Sequence, residues 1–170
     1  MVELARIRPR FALILLTSAV VLLPASASPV QDPFAKYAPT TLAARFTAEA
    51  EAVGTRADLA FSGAGVPSRA RVEFLGKSRP LSASKRDFCE KAFQTLGFDK
   101  KLNEVLSDEW QFRENGREYW LTVQKQVAEY FPKELTPGDE IDVYFVGLGG
   151  VKEGGAMQLV FLVNEFQSLE

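Results

Sequence analysis

The chain of 170 residues has no histidine and a single cysteine, and its longest apolar-rich run, Phe11–Leu23, is only 13 residues. Each shortage closes a class of function. Without imidazole, the Ser-His-Asp and Cys-His nucleophile systems, the HExxH zinc site and every histidine general base are excluded. With Cys89 alone, no internal disulfide forms, so stability rests on core burial. The neighbours Phe88, Ala92 and Phe93 place that thiol on an apolar helical face, where it is expected to be buried. The apolar run is shorter than the ~20 residues that cross hydrocarbon, so a permanent transmembrane anchor is not expected.

The opening segment instead has the three parts of an export signal. Arg6, Arg8 and Arg10 form a basic head, Phe11–Leu23 (FALILLTSAVVLL) is the apolar centre, and Pro24-Ala25-Ser26-Ala27 offers small residues before Ser28. There is no Arg-Arg pair for a twin-arginine route and no cysteine near residue 27 to carry a lipid. The expectation is a signal peptide over 1–27, a Pro-rich linker over 28–40 and a single globular domain over 41–170. The product is then exported, and periplasmic if the envelope is double.

Removing three arginines and Glu3 from totals of 20 basic and 22 acidic residues leaves 17 and 21, a net charge of −4. The charge is segregated: residues 69–101 carry nine basic and four acidic side chains, and 102–170 carry five and thirteen. Two solvated faces that attract each other explain this. A cationic patch for an anionic envelope component is the sharper reading. Nucleic acid is a poor partner for an exported, net-negative chain.

Along the chain, Thr41–Val53 reads as a helix with a thin apolar stripe (Leu42, Phe46, Ala50, Val53) and weak docking, ended by Gly54. Asp58–Phe61 is a short strand. Arg69–Leu75 (RARVEFL) alternates as a half-buried strand. Ser82 caps a helix running to Leu96, and a second short helix is expected over Asp99–Leu106.

The stretch Trp110–Leu121 (WQFRENGREYWL) is the most specific local signal. Asn115-Gly116 suits a two-residue type I′ turn, whose central positions both need positive φ. That turn sets Glu114 opposite Arg117, Arg113 opposite Glu118, Phe112 opposite Tyr119 and Trp110 opposite Leu121. One register thus supplies two charge pairs and two apolar pairs, each worth about 0.2–1 kcal/mol. Trp110, Phe112, Tyr119, Leu121 and Val123 are then a core face. Glu109, Gln111, Arg113, Glu118, Trp120 and Thr122 form a wet face on which Trp120 is out of place.

After Val123 the spacing turns helical through Val127, Tyr130 and Phe131, with Pro132 pushing Phe131 out of helical geometry. Thr136-Pro137-Gly138-Asp139 reads as a type II turn. Ile141–Val146 is a strand and Met157–Phe166, apolar on both faces, a central strand. Between them Gly147–Ala156 (GLGGVKEGGA) reads as a mobile hairpin loop, with a ligand-covering loop as the alternative. The order implies an α+β fold with a mainly antiparallel sheet and packed helices. It also suits a small, partly open barrel of the oligonucleotide/oligosaccharide-binding type.

Several patterns resemble chemistry without supporting it. Ser82-Ala-Ser-Lys85 matches S-x-x-K, but S-D-N and K-T-G companions are missing, so a capping Ser82 and a solvent-facing Lys85 are the ordinary reading. The glycines 147–155 lack the following helix that phosphate loops need. Asp139, Glu140 and Asp142 alternate across a strand, so at most two converge on a cation.

One constellation remains. Trp120 on the wet face, with Gln124, Lys125 and Gln126 where strand becomes helix, would set an indole beside a cation and two amides. Lys125 in a first helical turn opposes the helix dipole, a small local conflict of the kind found at functional sites. No catalytic, cofactor or metal set is expected. The leading expectation is a non-catalytic binding or interaction protein of the envelope, with a protein or glycan partner. The rivals are a small hydrolase using carboxylates or Ser82 and Lys85, and a self-associating structural subunit.

Overall fold

A computed structural model describes residues 32–54, 58–62, 65–95, 97 and 105–169. The export signal expected over 1–27 lies outside them. So does residues 99–104 of the second short helix, and Leu106, its expected end, opens a strand instead.

The Asn-Gly hairpin forms as its local chemistry dictates. β4 (Leu106–Glu114) and β5 (Arg117–Gln124) are joined by Asn115 at φ 50° and Gly116 at φ 78°. Glu114 faces Arg117, Arg113 faces Glu118, Phe112 faces Tyr119 and Trp110 faces Leu121. Phe112, Leu121 and Val123 are fully buried, as the core face requires.

The second hairpin is longer than expected. β6 (Glu140–Glu153) and β7 (Ala156–Ser168) pair almost throughout and turn at Gly154-Gly155, at φ 59° and 83°. The expected loop over Gly147–Ala156 is therefore mostly strand. Its glycines are spent on close approach rather than on mobility. A Cβ on Gly149 would lie 2.9 Å from Cα of Phe61, and one on Gly147 would lie 2.6 Å from Cδ of Glu49. Only a residue without a side chain lets both neighbours in.

β3 (Ser68–Arg79) outruns the expected strand because it has two partners. Ser68–Glu73 pair antiparallel with Phe145–Glu140 of β6, and Glu73–Arg79 pair with β4 across a register shift. The short strands β1 (Ala38–Pro39) and β2 (Leu59–Phe61) add to β3 and β6 respectively. The result is an α+β fold with a mixed seven-stranded sheet, ordered β1-β3-β4-β5-β7-β6-β2, in which β3 also pairs with β6. Five strands thus close a circuit of pairings, β3-β4-β5-β7-β6 and back to β3. The parallel β5–β7 link is its thinnest, holding at Thr122–Leu162 and Val123–Val163.

Helix α1 (Leu42–Val53) is docked firmly, against the expectation from its thin stripe. Thr41 caps it, and the Glu114 carboxylate accepts from the Leu42 and Ala43 amides at 2.8 and 3.2 Å, tying it to the first hairpin. Leu42 enters the main core, and Phe46 stacks on Phe161 at 4.5 Å. Between β5 and β6 come α3 (Lys125–Ala128) and α4 (Phe131–Glu134). Pro132 does not expel Phe131 from helical geometry but starts this new turn, where a missing N–H costs nothing. Phe131 is fully buried against Phe74, Trp110, Phe112 and Phe166.

Helix α2 (Ala83–Thr95) builds a second apolar layer. Phe88, Cys89, Ala92 and Phe93 pack with Leu148, Val151, Val160 and Leu162 of β6 and β7. These strands are therefore apolar on both faces because both faces are covered. The described part of the proline-rich stretch, from Asp32, is folded onto the domain. Phe34 stacks on Tyr144 at 4.3 Å and Tyr37 meets the same ring edge-on at 5.2 Å, which seals an outward-facing tyrosine.

Candidate functional site

The parallel link between β5 and β7 leaves the first halves of both strands unpaired with each other. Between them lies a cavity of about 260 Å³. Trp120 and Arg117 come to it from β5, Gln158 and Met157 from β7, Arg79 from the end of β3, and Lys85 from α2. Phe46 of α1 and Tyr119 supply apolar wall.

The hairpin register puts Glu109, Gln111, Trp120 and Thr122 on one face. Of the expected wet face, Glu118 is exposed and Arg113 half-buried near the turn, whereas Glu109, Gln111 and Thr122 are 3%, 6% and 1% exposed. Glu109 is covered from α2, which lies in the β3–β4 connection and whose Lys85 reaches the carboxylate. Glu109 also accepts from Arg79 Nε at 2.7 Å. Lys85 itself is buried, 4% exposed, rather than solvent-facing. Desolvating an ammonium and a carboxylate costs several kcal/mol each, which only their mutual attraction and hydrogen bonds offset.

Arg79 is immobilised twice. Its Nε is bound to Glu109, and its guanidinium carbon sits 4.3 Å from the Trp120 ring centroid, a cation–π contact. Among the described residues its Nη1 and Nη2 make no hydrogen bond, and half of its side chain is exposed. Arg117 lies 5.2 Å over the Tyr119 ring and has no carboxylate partner among the described residues. Glu118, the one carboxylate in the lining among the described residues, accepts from the Gln111 amide and shares Arg113, at 3.3 Å, with Glu73. Burial pushes the Tyr119 phenol up, with Arg117 opposing, so it is a neutral donor at pH 7.

The residues singled out from the sequence divide. Trp120 is half-buried in the cavity wall and is not sealed under α1. Gln124 lies four residues further along β5, roughly 13 Å at strand rise. Its amide donates to Asn164 at 2.8 Å and its carbonyl accepts from Gln126. Lys125 is exposed beside it, and its backbone N–H donates to the Val105 carbonyl. Neither Gln124 nor Lys125 lines the Trp120 cavity. Of the residues that do shape it, Arg79 was hinted at only by the basic block over 69–101, Lys85 drew notice only as the end of the S-x-x-K match, and Glu109 only as a member of the polar face.

The other patterns fall into structural roles. Ser82 Oγ accepts from the Lys85 amide at 3.3 Å, the geometry of a helix cap, while Lys85 Nζ is committed to Glu109. Asp139 accepts from the Thr136 amide and hydroxyl, and Asp142 pairs with Arg71 at 3.1 Å. Among the described residues no three His, Cys, Asp or Glu side chains gather as metal ligands, and no helix is long and apolar enough to cross a membrane.

Compared with protein-family models, with curated proteins and with solved structures, the chain finds no match.

Proposed function

We propose that the protein is an exported, non-catalytic binding module of the cell envelope, and that its ligand enters the cleft between β5 and β7. The observation that carries this reading is the half-buried indole of Trp120 held under a fixed guanidinium at the wall of a concave site. A core tryptophan would be sealed, and a purely structural ion pair would not leave two guanidinium edges facing a cavity. In the same reading the five-strand circuit acts as a small barrel of the oligonucleotide/oligosaccharide-binding type. The second and third strands of such barrels carry the ligand, and here those places in the circuit belong to β4 and β5. A glycan or protein partner longer than the cavity would continue along β5 to Gln124 and Lys125.

The test is a glycan array and an envelope pull-down with the exported chain and with its Trp120→Ala and Lys125→Ala variants. A partner lost in Trp120→Ala, with the unfolding transition retained, supports the reading. Partners unchanged in both variants would remove the site. Hydrolysis of an envelope polymer that disappears in Ser82→Ala would favour the rival hydrolase.

A further inference from the structure

We infer that the β5–β7 cleft takes a single acidic sugar residue, its carboxylate between Arg79 and Arg117 and its ring beside Trp120. This rests on the binding function proposed above and names its ligand class.

The charges around the cleft decide the sign of the ligand. Lys85 is matched by Glu109, and Glu118 accepts from the Gln111 amide and shares Arg113 with Glu73. Among the described residues, the donor edges in the lining that make no ion pair are both cationic: the Nη edge of Arg79 and the guanidinium of Arg117. Guanidinium presents two parallel N–H donors that fit the two oxygens of a carboxylate.

Arg79 is also ready for that role before the ligand arrives. Glu109 fixes its Nε and Trp120 holds its plane, so little rotamer freedom is left to lose on binding. Glu109 thereby acts as a positioning residue, orienting the fork without touching the ligand.

The rest of the lining decides what carries the carboxylate. A volume of about 260 Å³ is smaller than the ~300–1,000 Å³ that holds a drug-sized molecule and matches about one ring seated in the cleft. Apolar wall from Phe46 and Met157 stands beside the Gln158 amide. A sugar ring offers both surfaces these need, apolar C–H faces and a hydroxyl edge.

The experiment titrates the exported chain, followed by tryptophan emission and calorimetry, with four probes. They are a uronic-acid trisaccharide, its neutral hexose counterpart, inorganic phosphate and a tripeptide with a free C-terminus. The acidic trisaccharide is expected to bind at least about tenfold more tightly than the neutral one. Arg117→Ala, on an exposed side chain, should weaken it by a similar factor while the unfolding midpoint in urea falls by no more than about 0.5 M. Arg79→Lys, which keeps charge but not the fork, should weaken it too.

Equal binding of the neutral sugar, equal binding of phosphate or of the tripeptide, or indifference to both arginine variants overturns the inference. If a neutral glycan binds through Trp120 while the arginines are irrelevant, the binding function stands and only the acidic ligand falls. If no probe binds and no array partner depends on Trp120, both fall.

Discussion

Glu109→Gln is the most informative single change in this protein. The substitution keeps shape and one acceptor oxygen but removes the charge that holds both Lys85 and Arg79. Lys85 is 4% exposed and Glu109 3%, so the ammonium would be left buried without its counter-charge. Breaking one side of a buried pair costs about 3–5 kcal/mol, a large share of the ~5–15 kcal/mol that keeps a domain folded. At a urea dependence of about 2 kcal/mol per molar, the unfolding midpoint should fall by about 2 M. The replacement Glu109→Leu with Lys85→Met takes both charges out together and should recover most of that loss, or exceed the parent by about 1 kcal/mol or more. Urea titration of the parent, Glu109→Leu, Lys85→Met and the double variant closes a thermodynamic cycle that isolates the coupling. Tryptophan emission adds a local readout, because Arg79 freed from Glu109 should leave the Trp120 ring. A single-variant cost under about 1 kcal/mol, or a double variant no better than Glu109→Gln, would refute the account of a desolvated, mutually dependent pair.

Three further outcomes follow from particular contacts. Gly147→Ala should destabilise by about 1–3 kcal/mol because its Cβ would meet the buried Glu49 carboxylate, and Glu49→Ala should restore most of it in thermal melts. Gly116→Ala should cost about 1 kcal/mol from its φ of 78° alone, since nothing lies within 4 Å of the new Cβ; a larger loss in urea would point to a steric contact instead. Burial pushes the Cys89 thiol from its ordinary 9.0 up to about 12, so thiol reagents at pH 8 should label the unfolded chain and spare the native one. The folded value is the higher one, so the unfolded state loses its proton first. The contribution is complete below about pH 9 and declines by roughly 1.4 kcal/mol per pH unit toward pH 12, and Cys89→Ala should remove that component of the slope.

The first hairpin was fully legible because everything that sets its register lies within a few residues. Asn115 and Gly116 determine the turn, and the cross-strand pairs fall into place around them. The burial of Cys89 and the apolar faces of β6 and β7 were legible for the same reason, as periodicities within one element. The glycines of 147–155 misled because a residue without a side chain serves a flexible turn and a tight contact equally well. Gly154 and Gly155 make the turn, whereas Gly147 makes room for Glu49 from another part of the chain. The proline-rich stretch misled similarly: Phe34 and Tyr37 show no period, yet they cover Tyr144.

The amino-acid order by itself determined which chemistries are out of reach, where β4 turns into β5, and that Trp120 stands on the opposite side of the ribbon from the core. Those are consequences of residue type, turn stereochemistry and the two-residue period of a strand, none of which needs a distant partner. Only the tertiary structure decided that the ribbon's polar face is covered away from its turn, that Lys85 and Arg79 share Glu109, and that β5 and β7 part early enough to leave a cleft. A charged side chain in a sequence carries no mark of whether water or an opposite charge will surround it, because that depends on which elements the chain later brings together.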